Sequence, residues 1–193
     1  MTLQYPEPPL TDAVVLLRPW QECDLPVLEQ ASADEYVAEI EHLPIPFTDA
    51  GGREWINRKL GLRDAGQGWA FAIVEIASGE VVGGIGIKFR HPPDAAEPGW
   101  WVIAGKRNEG IAERAGRLLF RWALTDDTGI ARIQATVEPW NLASQRLLEK
   151  LGFLREGLLR SYSAWRGSRQ DVFLYSLLPD DLISHTEGES VGS

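Results

Sequence analysis

The sequence predicts an α/β fold on a mixed sheet, and three observations carry that expectation. The elements run strand, two helices, three strands, helix, strand, helix, two strands. Two apolar runs, 69–76 and 81–89, are joined by Ser78-Gly79-Glu80 and read as an antiparallel hairpin of buried strands. A helix at 110–124 lies between strands at 99–103 and 131–137, and a helical crossover of that kind joins parallel neighbours.

Taken in order, residues 1–12 hold Pro6, Pro8 and Pro9 with little periodicity and read as an extended lead-in. A first strand, Val14-Val15-Leu16-Leu17-Arg18, ends at Pro19. Asp24 followed by Leu25-Pro26 reads as an N-cap with proline in the first turn of a helix reaching about Ala33. After the loop 43–48 a second helix starts near Asp49 and runs through Trp55, Ile56 and Leu60. Gly83, Gly84 and Gly86 sit inside a strand rather than between a strand and a helix, so they mark close packing or a bulge and not a dinucleotide fingerprint. In the helix 110–124, Ile111, Ala115, Leu118, Leu119 and Trp122 recur at helical spacing, with Arg114, Arg117 and Arg121 on the other side. The strand 131–137 alternates Ile133, Ala135 and Val137 with polar residues. Asn141 caps a helix ending at Leu151, where Gly152 supplies the left-handed residue that closes it. Two last strands fall at 154–162 and 170–178. The organisation expected is a lead-in at 1–12, one domain at 13–180 and a mobile tail at 181–193.

A net charge of −9 without runs of Lys or Arg argues against a nucleic-acid backbone or an anionic membrane as partner, because both need clustered cations. An acidic surface suits a cationic partner such as an amine. Cys23 is the only cysteine, which excludes an intrachain disulfide, and His42, His91 and His185 lack metal-ligand spacing, so no metal is expected. No secretory pattern opens the sequence and no apolar run approaches a membrane span, so a cytoplasmic protein, monomer or homodimer, is the expectation.

The segment Trp100-Trp101-Val102-Ile103-Ala104-Gly105-Lys106-Arg107-Asn108-Glu109-Gly110-Ile111-Ala112 runs from a strand through a polar loop into an amphipathic helix. A helix start presents amides with no intrahelical acceptor, and the macrodipole adds roughly half a positive charge there, so Arg107-x-x-Gly110-x-Ala112 reads as a diphosphate cradle. It resembles the R-x-x-G-x-A/G acyl-CoA pyrophosphate motif of the GNAT N-acetyltransferases. Asn108 stands where that family usually has glycine and Ala104 where proline often sits; asparagine tolerates positive φ better than other side chains. Downstream, Asn141-Leu142-Ala143-Ser144 and Lys150-Leu151-Gly152-Phe153 with Glu156-Gly157 resemble a second GNAT hallmark. Together with Glu97-x-Gly99-x-Trp101, the pattern looks like the branch of ribosomal-protein N-terminal acetyltransferases, RimJ/RimL-like, over roughly residues 13–178.

That resemblance implies a mostly antiparallel GNAT sheet with a splayed central parallel strand pair and about four flanking helices. It implies acetyl-CoA as cofactor, held by the backbone of Arg107, Asn108, Glu109, Gly110, Ile111 and Ala112, with Val102, Ile103 and Ala104 pairing with the pantetheine arm. Asn141 would order that arm or a water; as a plain residue it is a helix cap. Direct transfer to an amine needs a base for the ammonium proton, an oxyanion donor and a proton for the leaving thiolate. Glu97 is the candidate base, with a surface carboxylate as the plain alternative. Ser144 is the candidate acid and Tyr162 its rival. The oxyanion donor is the N–H near Val102 or Ile103. His42 and Phe47 in one loop, Trp165 in another, and Trp100 are candidates for the acceptor site. The expected activity is N-acetylation of a primary amine, a protein N-terminus in the branch that the motifs resemble. A small-molecule or antibiotic acetyltransferase and a non-catalytic acyl-CoA-binding module are the alternatives, the latter kept open by Pro98 and Asn108.

Overall fold

A computed structural model describes residues 3–165 and 167–184. Its elements are β1 (Val15–Arg18), α1 (Leu25–Ser32), α2 (Glu35–Glu41), α3 (Asp49–Asp64), β2 (Gly68–Glu75), β3 (Val81–Phe89), β4 (Ala95–Val102), α4 (Ile111–Thr125), β5 (Arg132–Val137), α5 (Leu142–Lys150), β6 (Leu154–Trp165), β7 (Ser168–Leu177) and α6 (Pro179–Ser184). Strand order is β1-β2-β3-β4-β5-β7-β6, mixed and mostly antiparallel with one parallel pair, β4 and β5. Two compact units partition the chain: residues up to 88 with 99–118, and 89–98 with 119 onward.

In the first unit, β2 pairs with β1 through Val15↔Glu75 to Arg18↔Ala72 and with β3 through Gly68↔Lys88 onward, with a register shift at Ile73/Val74. The strand glycines mark close packing, while the register shift falls at Val82, next to Gly83. A Cβ on Gly83 would lie 2.3 Å from the carbonyl oxygen of Trp101, and one on Gly84 would meet the indoles of Trp101 and Trp20 at 2.8 Å. Those indoles organise the core: Trp20 stacks on Trp101 at 6.0 Å and meets Trp55 edge-on at 4.9 Å. Around them pack Leu28, Ala31, Val37, Leu43 and Ile56.

Two local expectations change here. Asp24 stands before α1 but does not cap it; the carboxylate is buried and takes both Nη atoms of Arg18 at 2.7 and 2.8 Å, plus the Gln21 amide. A buried carboxylate is better satisfied by a guanidinium fork than by one amide. The segment after Ala33 is also not all loop. Asp34 caps the short α2 by accepting from the Tyr36 and Val37 amides, and His42 ends that helix at φ 55.

In the second unit, the parallel ladder is registered at Ala95↔Arg132 and Ala96↔Ile133, while β5 pairs with β7 over five residues. Ala95 exchanges hydrogen bonds with Arg90 and Pro92, which turns Ala96 and Pro98 to the opposite edge, and Pro98 brings no N–H to continue a ladder there. Buried Leu119, Phe120, Leu148, Phe153, Tyr175 and Leu177 form the core, with Phe120 meeting Phe153 edge-on at 5.5 Å. Strand β4 starts earlier than the expected 99–103, and the flanking helices number six among the described residues rather than about four, the additions being α2 and α6. Residues 181–184 of the expected tail belong to α6, whose start is held by the Asp181 carboxylate on the Leu178 amide. Residues 185–193 lie outside the described residues.

Candidate functional site

The cradle is built within the first unit. Strand β4 ends at Val102 because the Lys106 amide turns back to the Ile103 carbonyl and the Arg107 amide to Ala104, forming a 3₁₀ turn over Ala104–Lys106. Ala104 therefore opens the turn, one residue past the end of the expected strand, while Ile103 precedes it in extended conformation. The Ile103 N–H donates to the Val82 carbonyl at 3.0 Å and is unavailable as an oxyanion donor; by strand alternation the Val102 and Trp100 amides face the edge away from β3.

After the turn, Asn108 adopts φ 64 and Gly110 φ 78, two left-handed residues flanking Glu109. Asparagine accepts this geometry where glycine is expected, so the substitution leaves the loop intact. Ile111 is buried and anchors α4, and the Arg114 N–H donates to the Gly110 carbonyl at 3.0 Å. Among the described residues, the amides of Asn108, Glu109, Gly110, Ile111 and Ala112 have no acceptor. The space over Gly105 and Gly110 is open. Alternating loop geometry at a helix start makes an anion-binding concavity, so these donors fit a diphosphate.

Arg107 itself is engaged. Its Nε donates to the Val102 carbonyl at 2.9 Å and its Nη2 to Asp34 Oδ2 at 2.6 Å. Partial burial alone would raise the Asp34 carboxyl; Arg107 and the Val37 and Tyr36 amides outweigh it and hold the pKa below the usual carboxylate value. Lys106 donates to Glu75 at 2.7 Å and lies 3.8 Å from Glu109. Among the acceptor candidates, His42 is exposed with Nδ1 2.8 Å from the Glu39 carbonyl oxygen, and Phe47 packs on the tryptophan core. Trp100, half-buried, alternates with the buried Trp101 and so faces the other side of β4.

The remaining candidates belong to the second unit. Glu97 Oε2 accepts from Arg90 Nε at 2.5 Å, and Oε1 has no hydrogen-bond partner among the described residues. Asn141 is the N-cap of α5, its Oδ1 accepting from the Ser144 amide at 3.1 Å; this is the capping role that the sequence offered. Ser144 is half-buried with no partner for its hydroxyl among the described residues, whereas Tyr162 is 56% exposed on β6. Trp165 ends β6, and its side chain lies outside the described residues.

The second hallmark closes upon itself. At the end of α5, Gly152 at φ 89 lets the Phe153 amide reach the Leu148 carbonyl, which seals the helix. Glu156 binds Arg132 at 2.6 and 2.9 Å and accepts from the Ser176 hydroxyl at 2.7 Å; these hydrogen bonds hold its pKa below the usual carboxylate value against the opposing effect of burial. Two contributors went unread in the sequence. Buried Gln145 donates to the Glu138 and Pro139 carbonyls and fixes the turn into α5, and Asp34 grips Arg107 across 73 positions. An Asp two residues before a Tyr-Val-Ala run is a cap signal for α2; nothing local announces its second partner.

Comparison with known proteins agrees with this geometry. A family model described as an acetyltransferase (GNAT) domain matches residues 15–154. The uncharacterized N-acetyltransferase p20 of Bacillus licheniformis is 34% identical over 164 residues, covering 84% of this chain and 91% of that protein. RimJ of Mycobacterium smegmatis, solved with a CoA disulfide, superposes with a TM-score of 0.74 at 24% identity over 89% of each chain. RimL, a ribosomal L7/L12 α-N-protein acetyltransferase solved with coenzyme A, superposes with a TM-score of 0.73 at 20% identity over 90% of this chain and 98% of its own. These two likenesses concern the fold. No helix among the described residues is long and apolar enough to cross a membrane.

Proposed function

Because the chain belongs to the GNAT family of N-acetyltransferases, we propose that it takes acetyl-CoA into the cradle at the start of α4 and passes the acetyl group directly to a primary amine, with a protein N-terminus as acceptor class. The observation that carries the cofactor reading is the row of five unsatisfied amides from Asn108 to Ala112. The acceptor reading is supported by the Glu97-x-Gly99-x-Trp101 pattern and by the fold shared with RimJ and RimL.

When bound, acetyl-CoA supplies an acyl group on a good leaving group. The residues of this chain do the rest. Amides 108–112 hold the diphosphate, and the positive end of α4 adds to its attraction. The Val102 N–H, on the open edge of β4, donates to the acyl carbonyl oxygen, a role Ile103 cannot fill. Glu97 accepts the ammonium proton through Oε1 while Arg90 holds Oε2, so the amine attacks in its neutral form. Ser144 relays a proton, taking the one the nitrogen sheds as the amide forms and giving its own to the departing thiolate; it is favoured over Tyr162 because Ser144 is half-buried while the phenol stands in solvent.

The test is thiol release from acetyl-CoA across an acceptor panel of N-terminal peptides, polyamines and amino sugars. Release with peptides bearing a free N-terminus, abolished by blocking that amine, is the expected result. Release with the small amines alone would move the acceptor class, and binding without release across the panel would contradict catalysis. Glu97→Gln is expected to lose rate mainly at low pH, where the amine most needs a base, with acetyl-CoA affinity retained. An unchanged pH-rate profile would remove Glu97 from the mechanism.

A further inference from the structure

The loop that presents the free amides is short and polar, and it has no buried side chain between Ala104 and Gly110 to fix it. Two side chains tie it down: Lys106 on Glu75 of β2, and Arg107, whose guanidinium is bound at both ends, Nε on the carbonyl of Val102 and Nη2 on the carboxylate of Asp34. Asp34 in turn is held at the start of α2, its Oδ1 accepting from the Tyr36 and Val37 amides while Oδ2 is left for Arg107. Helix α2 is rooted in the tryptophan core through Val37 and Ala38. The chain of contacts therefore runs from a rigid core, through one carboxylate, to the loop.

Resting on the acetyl-CoA reading above, we propose that Asp34 is a positioning residue for cofactor binding: by gripping Arg107 it holds the 107–110 turn in the geometry that aims the amides of Asn108–Ala112 outward. Asp34 reaches the cofactor only through Arg107. The consequence is specific, since loosening the grip costs affinity for the diphosphate carrier and leaves the chemistry of the bound complex unchanged.

The test uses Asp34→Asn, because asparagine caps a helix as well as aspartate does and so leaves α2 in place, while it removes the charge that binds Arg107. Calorimetric Kd for acetyl-CoA is expected to rise about three- to tenfold, the size of one partly exposed charge-assisted hydrogen bond. KM for acetyl-CoA rises with it and kcat does not, and the melting temperature changes little. In an Arg107→Gln background the same Asp34→Asn change is expected to add nothing, since both residues act through one contact. Unchanged or tighter binding by Asp34→Asn overturns the proposal, as does an effect that persists without Arg107. If the unsubstituted protein itself fails to bind acetyl-CoA, the function reading falls and this proposal with it. Normal binding with an inert Asp34→Asn removes the positioning role alone.

Discussion

The loop from Val102 to Ala112 and the stretch from Asn141 to Glu156 are the two segments with the strongest motifs, yet they treat their polar groups in opposite ways. In the second, the cap, the turn carbonyls, the helix end and the carboxylate all find partners within the same unit: Asn141 on Ser144, Gln145 on Glu138 and Pro139, Phe153 on Leu148, Glu156 on Arg132 and Ser176. In the first, Lys106 and Arg107 are engaged but five amides have no acceptor among the described residues. Asn108, Glu109 and Gly110 are exposed, so water can satisfy their amides until a ligand takes its place, whereas the closed stretch is a motif whose observed work is to hold structure.

The largest test of this contrast is Gly110→Val. Its Cβ would meet no neighbour, but a β-branched residue at φ 78 is strained by more than roughly 1–2 kcal/mol, so the turn re-forms elsewhere and the amides scatter. Acetyl-CoA affinity is expected to fall at least about tenfold, which corresponds to about 1.4 kcal/mol. Calorimetry measures it, and Gly110→Ala should fall between. An unchanged Kd would place the diphosphate elsewhere.

Asn141→Ala comes next and should act on stability, by about 1 kcal/mol through loss of the cap, read as a lower urea midpoint. Asn141→Asp keeps the acceptor and should restore that midpoint. If Asn141→Asp restores stability but still weakens acetyl-CoA binding, the residue does more than cap and the contrast between the segments narrows.

The smallest expected effect is at Glu156. Its folded pKa is depressed, so the stabilisation is complete above the ordinary carboxylate pKa and is lost as pH falls through the lower, folded one. Glu156→Gln should lower stability at pH 7 by about 1 kcal/mol or less, given a partly exposed pair, and flatten the acid limb of a urea-midpoint profile. Acetyl-CoA affinity should not move.

What the sequence made legible was local. The β2–β3 hairpin, the apolar stripe of α4, Gly152 at a helix end and the left-handed Asn108 each follow from spacing or from one residue's backbone preference. What it hid was set by partners far along the chain. Asp24 carries a good cap signature, but Arg18 on the neighbouring strand outbids the α1 amides. Helix α2 is too short for periodicity to declare, and Arg107 looks like a phosphate ligand until Asp34 is seen to hold it. The Ile103 amide lost its expected role for the same reason, since only pairing with β3 reveals which edge of β4 is open.

Backbone amide exchange, followed residue by residue with and without acetyl-CoA, tests the central claim most directly. The amides of Asn108 to Ala112 should exchange fast in the free protein and slow sharply on saturation, while those of Ser144 and Phe153, already bonded, start slow. Saturating acetyl-CoA that leaves residues 108–112 exchanging as before would contradict the account.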